Sequence, residues 1–424
     1  MSKTKGRGNH GIYHQIIRWR RPQQGNDYYE RKKRMAYISA VTFLSCFVSV
    51  VPLCLIRITL TDTAGEENVG SVVVADVNND NLPDIVAGLV WFEGPNWTPH
   101  QYYYPEEDSV YIENPVKCVY DINGDGYVDF LGTRAIDYNN REMVWFENPG
   151  PPSTGAWKKH FITSDIMYLE LAIFVDIDGD GRDEMITVDD GPDKGIRIYR
   201  IPDDPTQPDW PWEAVVSESR HGLGVGDLNG DGRLDIVSDF RWYEHTGSGN
   251  WIEHDLPGPS PDNRGRYTMQ SLVYDVNNDG NNDIIFTCAH NYGAYWLESS
   301  GGSNTSFTLH EILPGELPSQ LHGVAYGDID GDGDIDMFLG KSQYRHNDPG
   351  EKDPLDVFWI ELVRSGNNVS WAKHKLADDL VMGFQPEIAD IDGDGKPELI
   401  MRGIGLSKRV WALQYDVTIF KSTR

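Results

Sequence analysis

Cysteine is scarce in this 424-residue chain, with four in all, so no disulfide framework carries the fold. Cys46 and Cys54 lie in an apolar run, while Cys118 and Cys288 read as small buried side chains in strands too far apart to bridge. Long stretches of helical periodicity are missing as well, which argues against bundles and α/β folds. No nucleophile elbow, P-loop or dinucleotide fingerprint occurs, so the hydrolase, kinase and dehydrogenase classes that need them fall away. Basic charge is thin over most of the chain: residues 57–424 hold 27 Lys and Arg against 64 Asp and Glu. A surface that acidic repels nucleic acid and anionic lipid and attracts cations.

The first 34 residues invert that balance, with ten basic residues against two acids. Residues 35–56 then carry no charge and are mostly apolar, long enough for a membrane-crossing helix. Arg31, Lys32, Lys33 and Arg34 directly precede this run. The positive-inside rule therefore expects a cytoplasmic tail at 1–34 and a single transmembrane signal-anchor helix at 35–56, with residues 57–424 outside the cell or in a lumen. A cleaved signal peptide, giving a secreted protein, is the alternative. Asn96, Asn304 and Asn368 each head an Asn-x-Ser/Thr glycosylation sequon.

What the chain has in abundance is one nine-residue pattern, Asp-x-Asp/Asn-x-Asp-Gly-x-x-Asp/Glu, repeated seven times at intervals of 45 to 62 residues. Positions 1, 3, 5 and 9 are Asp76, Asn78, Asp80 and Asp84 in the first copy and Asp121, Asn123, Asp125 and Asp129 in the second. They are Asp176, Asp178, Asp180 and Glu184 in the third, and Asp227, Asn229, Asp231 and Asp235 in the fourth. The fifth has Asp275, Asn277, Asp279 and Asp283, the sixth Asp328, Asp330, Asp332 and Asp336, and the seventh Asp390, Asp392, Asp394 and Glu398.

Apolar runs enter and leave each copy, followed by an aromatic strand such as Trp91-Phe92-Glu93 or Trp242-Tyr243-Glu244. A fourth strand reads Trp-x-x-His, as from Trp157 to His160 and from Trp251 to His254. Four short strands in roughly 50 residues make a propeller blade. The expected fold is therefore all-β, a seven-bladed β-propeller with Ca²⁺-binding loops over 57–424, preceded by the transmembrane helix. An open ring would expose a strand edge. The expected closure takes residues 57–62 as the fourth strand of the last blade, beside a third strand at 410–413. Alternatively, residues 417–421 complete that blade by themselves.

Oxygen ligands at positions 1, 3, 5 and 9, with a main-chain carbonyl at 7, suit Ca²⁺ better than Mg²⁺, which insists on octahedral geometry. Position 6 is Gly126, Gly181, Gly232, Gly280, Gly333 and Gly395 in six copies and Asn81 in the first, residues that tolerate positive φ. Each ion's shell is filled by its own loop, so the expected role is structural. These loops resemble the FG-GAP repeats of integrin α-chain propellers, a repeat that hosts both adhesion modules and enzymes.

Five histidines (His100, His160, His254, His310 and His374) belong to the repeated fourth strand and read as packing residues. His221, His290, His322 and His346 do not follow the repeat. His221 and His322 precede a first strand, and His290 and His346 follow a second strand, which places them on the face opposite the calcium loops. Glu170 shares the offset of His221, and Lys341 and Tyr344 fall in a turn on the same face. Such a cluster could hold Zn²⁺ or another divalent metal with an open position, or serve metal-free acid–base chemistry.

The segments His221-Gly222-Leu223-Gly224-Val225-Gly226-Asp227, Ala289-His290-Asn291-Tyr292-Gly293 and Gly340-Lys341 with Tyr344 and His346 resemble the propeller domain of aldos-2-ulose dehydratases. That resemblance implies a metal-dependent lyase that removes water from a keto-sugar, with His221, His290, His322 and His346 in the site. The cupin domains that follow in that family are not expected here. Elimination beside a carbonyl needs a base (His221, His322 or Glu170), an electrophile (Zn²⁺ or Lys341) and an acid (His346 or Tyr344). The competing reading is a non-catalytic adhesion or receptor propeller that uses this face for a carbohydrate or cell-surface ligand.

Overall fold

The computed structural model describes residues 55–61, 71–103, 111–135, 140–218, 220–247, 249–259, 268, 270–342, 349–350, 352–366, 368–405 and 415–422. Among these residues the strands form seven antiparallel sheets, one per repeat. Blade 4 shows the plan with Gly224–Gly226, Asp235–Ser238, Arg241–His245 and Trp251–Asp255 in order from the inside outward. Residues on its second strand are all buried, whereas the outermost strand is largely exposed. That gradient is why inner strands are continuous apolar runs and outer strands alternate.

No blade encloses a core of its own. Seven apolar clusters each join two neighbouring blades, and the series runs from blade 1 to 2 and onward until blade 7 meets blade 1. In the last of these, Val72 and Phe92 pack with Ile400, Val417 and Ile419. The hydrophobic term therefore rewards only a closed ring, since an end blade would leave one face wet.

Closure uses the N-terminal strand. Leu55–Thr61 pairs antiparallel with Tyr415–Ser422, which pairs in turn with Glu398–Gly405. The fourth strand of blade 7 thus comes from the start of the chain, but its third strand is Tyr415–Ser422, and residues 410–413 lie outside the described residues. The strand also begins at Leu55, two residues inside the apolar run assigned to a helix. Extended pairing with Ser422 and Lys421 takes Leu55 and Ile56 from that run. The rest of the run, 35–54, and the tail 1–34 lie outside the described residues, among which no helix is long and apolar enough to cross a membrane.

Five blades carry the same lock on their outer half. His100, His160, His254, His310 and His374 stack on Trp91, Trp145, Trp242, Trp296 and Trp359 at ring-centroid distances of 4.1–4.5 Å. Each His Nε2 lies 2.6–2.9 Å from the third-strand glutamate of its blade. These histidines are packing residues, as their periodicity implies. Cys118 and Cys288 are buried free thiols, and burial pushes Cys288 up to about 12.

A chain that starts at residue 62 lacks the closing strand and leaves Tyr415–Ser422 as an open edge. It is expected to melt at a lower temperature than the full chain and to self-associate in light scattering. A monomer with an unchanged melting curve would contradict this closure.

Candidate metal centre

The seven loops are held open by their own amides. In blade 2, Asp121 Oδ1 and Oδ2 accept from Asp125 N and Gly126 N at 3.0 and 2.9 Å. Asn123 Oδ1 accepts from Asp125 N at 2.9 Å, and Asp125 Oδ1 from Tyr127 N at 2.9 Å. The chain turns with φ of 86–93° at the six position-6 glycines and 68° at Asn81. Position 4 needs the same left-handed backbone, which sequence reasoning missed: Asn79, Gly124, Gly179, Gly230, Asn278, Gly331 and Gly393 all have φ between 58° and 85°. The signal was there, since that position is only ever Gly or Asn.

Position 9 is different, because it is buried in every blade. Its carboxylate accepts from the amide of position 2 at 2.8–3.3 Å in all seven. Burial pushes Asp84, Asp129, Glu184, Asp283, Asp336 and Glu398 up to about 7, and Asp235 to about 6. The donor set is all oxygen, from carboxylates and, at position 3 of four loops, an asparagine amide, which fits Ca²⁺. Three carboxylates come within 4.8 Å of one another in blades 3, 6 and 7.

The opposite face holds the second centre. Ligand atoms of His221, His290 and His322 lie within 4.8 Å of one another. Each comes from a different blade. His322 Nε2 is 3.1 Å from His290 Nε2, and Glu170 Oε2 is 3.9 Å from His221 Nε2. His221 Nδ1 is 2.9 Å from the Thr268 carbonyl. A carbonyl can only accept, so Nδ1 carries the proton and the Nε2 lone pair faces the cluster. A backbone carbonyl on the remote nitrogen is the usual support of a metal-binding histidine. Four-coordinate Zn²⁺ with bonds of about 2.0–2.1 Å spaces its nitrogens by about 3.4 Å, within the range seen here.

Packed backbone sets this geometry. His290 sits in a turn closed by Cys288 N to Gly293 O at 3.0 Å, and blade 6 clamps the turn through Leu321 N to Cys288 O and Gln320 N to Asn291 O. A Cβ on Gly226 would meet Val273 at 2.5 Å, and one on Gly323 would meet Gly383 O at 2.4 Å. Gly226, on the inner strand that follows His221, and Gly323, next to His322, are therefore required by the close approach of the next blade. His221 and His322 are buried, and His290 and Glu170 are partly exposed, so the cluster opens to solvent on one side.

Asp239 supports the cluster and was not singled out from the sequence. It accepts from His221 N at 3.3 Å and Thr268 N at 3.1 Å, tying the two halves of the His221 bond together. Burial pushes it up to about 6, against the pull of His221 and these amides. Its φ of 51° is the outlier that could have marked it, since Gly88 occupies the matching turn of blade 1. The buried ammonium of Lys341 donates to the carbonyls of Gly350 and, at 2.7 Å, Asp353. Tyr344 and His346 lie outside the described residues.

The FG-GAP-like repeat family matches residues 121–187, 176–238 and 275–339. The chain thus carries FG-GAP-like repeats on a seven-bladed β-propeller. Among solved structures it is similar to the V. cholerae biofilm matrix protein Bap1, at 11% identity and a TM-score of 0.46, over 85% of this chain and 89% of that one. It is also similar to the WD40 domain of SCAP from fission yeast, at 10% identity and a TM-score of 0.37, over 84% and 85%. No curated protein matches the sequence.

The position-9 carboxylates generate a pH prediction. Their unfolded values lie near 3.8 for Asp and 4.5 for Glu, and their folded values near 6–7. The metal-free fold binds more protons in that window, so its stability falls as pH rises from about 4 to 7. In chelator, the melting temperature is expected to be higher at pH 5 than at pH 8. Excess Ca²⁺ replaces the proton and should remove the difference. A chelated protein that gains stability toward pH 8 would contradict it.

Proposed function

We propose that this chain is a calcium-loop propeller whose channel mouth holds a divalent metal, Zn²⁺ foremost, and dehydrates a keto-sugar. The observation that carries this reading is the convergence of His221, His290 and His322, with Glu170 3.9 Å from the first. A divalent cation bound there would polarise a substrate carbonyl and acidify the adjoining C–H. The imidazoles hold the cation, which leaves Glu170 as the base that takes the α-proton. Its partly exposed carboxylate reaches solvent beside the cluster. Tyr344 or His346 returns a proton to the departing hydroxyl. Lys341 spends its donors on the Gly350 and Asp353 carbonyls and is given no chemical step. The likeness of the surrounding segments to aldos-2-ulose dehydratases supports the substrate class. Residues 35–54 anchor the propeller on the outer or lumenal side of a membrane, and the exposed Asn96, Asn304 and Asn368 carry glycans.

The test is metal analysis with turnover on anhydro-keto-sugars. His290→Ala, at a half-exposed position, is expected to stay within about 0.5 kcal/mol of wild-type stability while losing both the transition metal and dehydration. Glu170→Gln is expected to keep the metal and lose turnover by about a hundredfold or more. His100→Ala, the packing control, should cost about 1–2 kcal/mol in urea unfolding and keep both. Metal without turnover in the wild type would sink the lyase and leave a metal-dependent binding face. No transition metal at all would sink the centre itself.

A further inference from the structure

The seven loops divide five to two, and several independent features divide with them. In blades 1, 2, 4, 5 and 6, position 9 is aspartate, and the residue opposite it, one place beyond the last pair of the second and third strands, is Glu93, Glu147, Glu244, Glu298 or Glu361. In blades 3 and 7, position 9 is glutamate, and the residue at that place is Arg200 or Lys421. The Trp and His of the outer lock accompany the five. Ile198 and Ile419 take the tryptophan place in the other two.

The hydrogen bonds divide the same way. In the five, the second oxygen of the aspartate accepts from the backbone amide of the residue that follows this glutamate, at 2.7–2.9 Å. In blades 1, 4 and 5 the third-strand glutamate also accepts from the amide nitrogen of the position-3 asparagine at 3.0–3.2 Å. In blade 3 that second oxygen goes to Arg200 instead: Nη1 lies 3.3 Å from Glu184 and Nη2 2.9 Å from Asp178, bridging positions 9 and 3. In blade 7 Lys421 Nζ pairs with Asp392, with Asp394 at 3.5 Å and Glu398 at 3.8 Å. Two of the three carboxylate clusters close enough to share an ion are therefore already bridged by a side-chain cation. Arg233 in blade 4 is no equivalent, since it donates to the His245 carbonyl and, among the carboxylates of its loop, pairs with Asp231 at position 5.

Resting on the calcium reading above, we propose that the loops are of two kinds: five take Ca²⁺, and those of blades 3 and 7 are neutralised by Arg200 and Lys421. A calcium ion entering either of these must displace a hydrogen-bonded cation and then sit beside it, which weakens binding by at least about tenfold. Blade 7 contains the junction of the two chain ends. Its loop thus keeps its shape when calcium is withdrawn, while five other turns lose their ion.

The experiment counts Ca²⁺ bound by the chelated full-length chain on titration, by equilibrium dialysis with metal analysis. Five ions per chain are expected for the wild type, and seven for the Arg200→Gln, Lys421→Gln double variant. As a check that does not unmask buried acid, Asp125→Asn should lower the wild-type count to four, whereas Asp178→Asn should leave it at five. A wild type that binds seven, a double variant that stays at five, or a loss of one ion in Asp178→Asn overturns the two-kind assignment. A wild type that binds none overturns the calcium reading as well.

Discussion

The buried carboxylate at position 9 is the constraint on which each blade depends. It enters the sheet as the first residue of the second strand, as at Asp84, Asp129 and Asp235, where water is excluded. One oxygen holds the amide of position 2, fixing the turn from the first strand. The other holds the third strand, through an amide in five blades and through a side-chain cation in two. A charge so placed costs free energy unless a counter-charge lies close by. Each loop's acidic ligands gather around the place where that counter-charge would sit.

The second constraint is that no blade is complete alone. Each apolar cluster spans two blades, and the channel-mouth centre draws on four, with Glu170, His221, His290 and His322 each arriving from a different one. A register error of one residue at any inner strand would turn a member of the cluster away. Gly226 and Gly323 allow adjacent inner strands to approach closely, and Asp239 fixes the backbone of His221 relative to Thr268. Closed-ring packing and the centre are thus one structural condition.

The repeat made the fold legible because a blade is a local unit, written in about 50 residues with its turn, its aromatic strand and its histidine strand. The split of the histidines was legible for the same reason: His100 and its four counterparts recur with the lock, and His221, His290 and His322 do not. What Lys341 donates to was not legible: its ammonium reaches carbonyls of its own turn, at Gly350 and Asp353. Asp239 was harder to find because its part is played through two backbone amides, and its one trace in the sequence is that it stands where blade 1 has Gly88.

The sequence by itself determined the number of blades, the acidic positions of the loops and the set of non-repeating histidines, because all three are periodic or breaks in a period. Only the tertiary structure decided which side chains meet. It extended the closing strand back to Leu55 and moved the third strand of blade 7 to Tyr415–Ser422, since pairing partners 360 residues apart are chosen by the packing of the ring. It also placed Arg200 and Lys421 in their loops. They lie some 16 to 29 residues from the acids they pair with, and cross-strand register, rather than any local motif, brings them there.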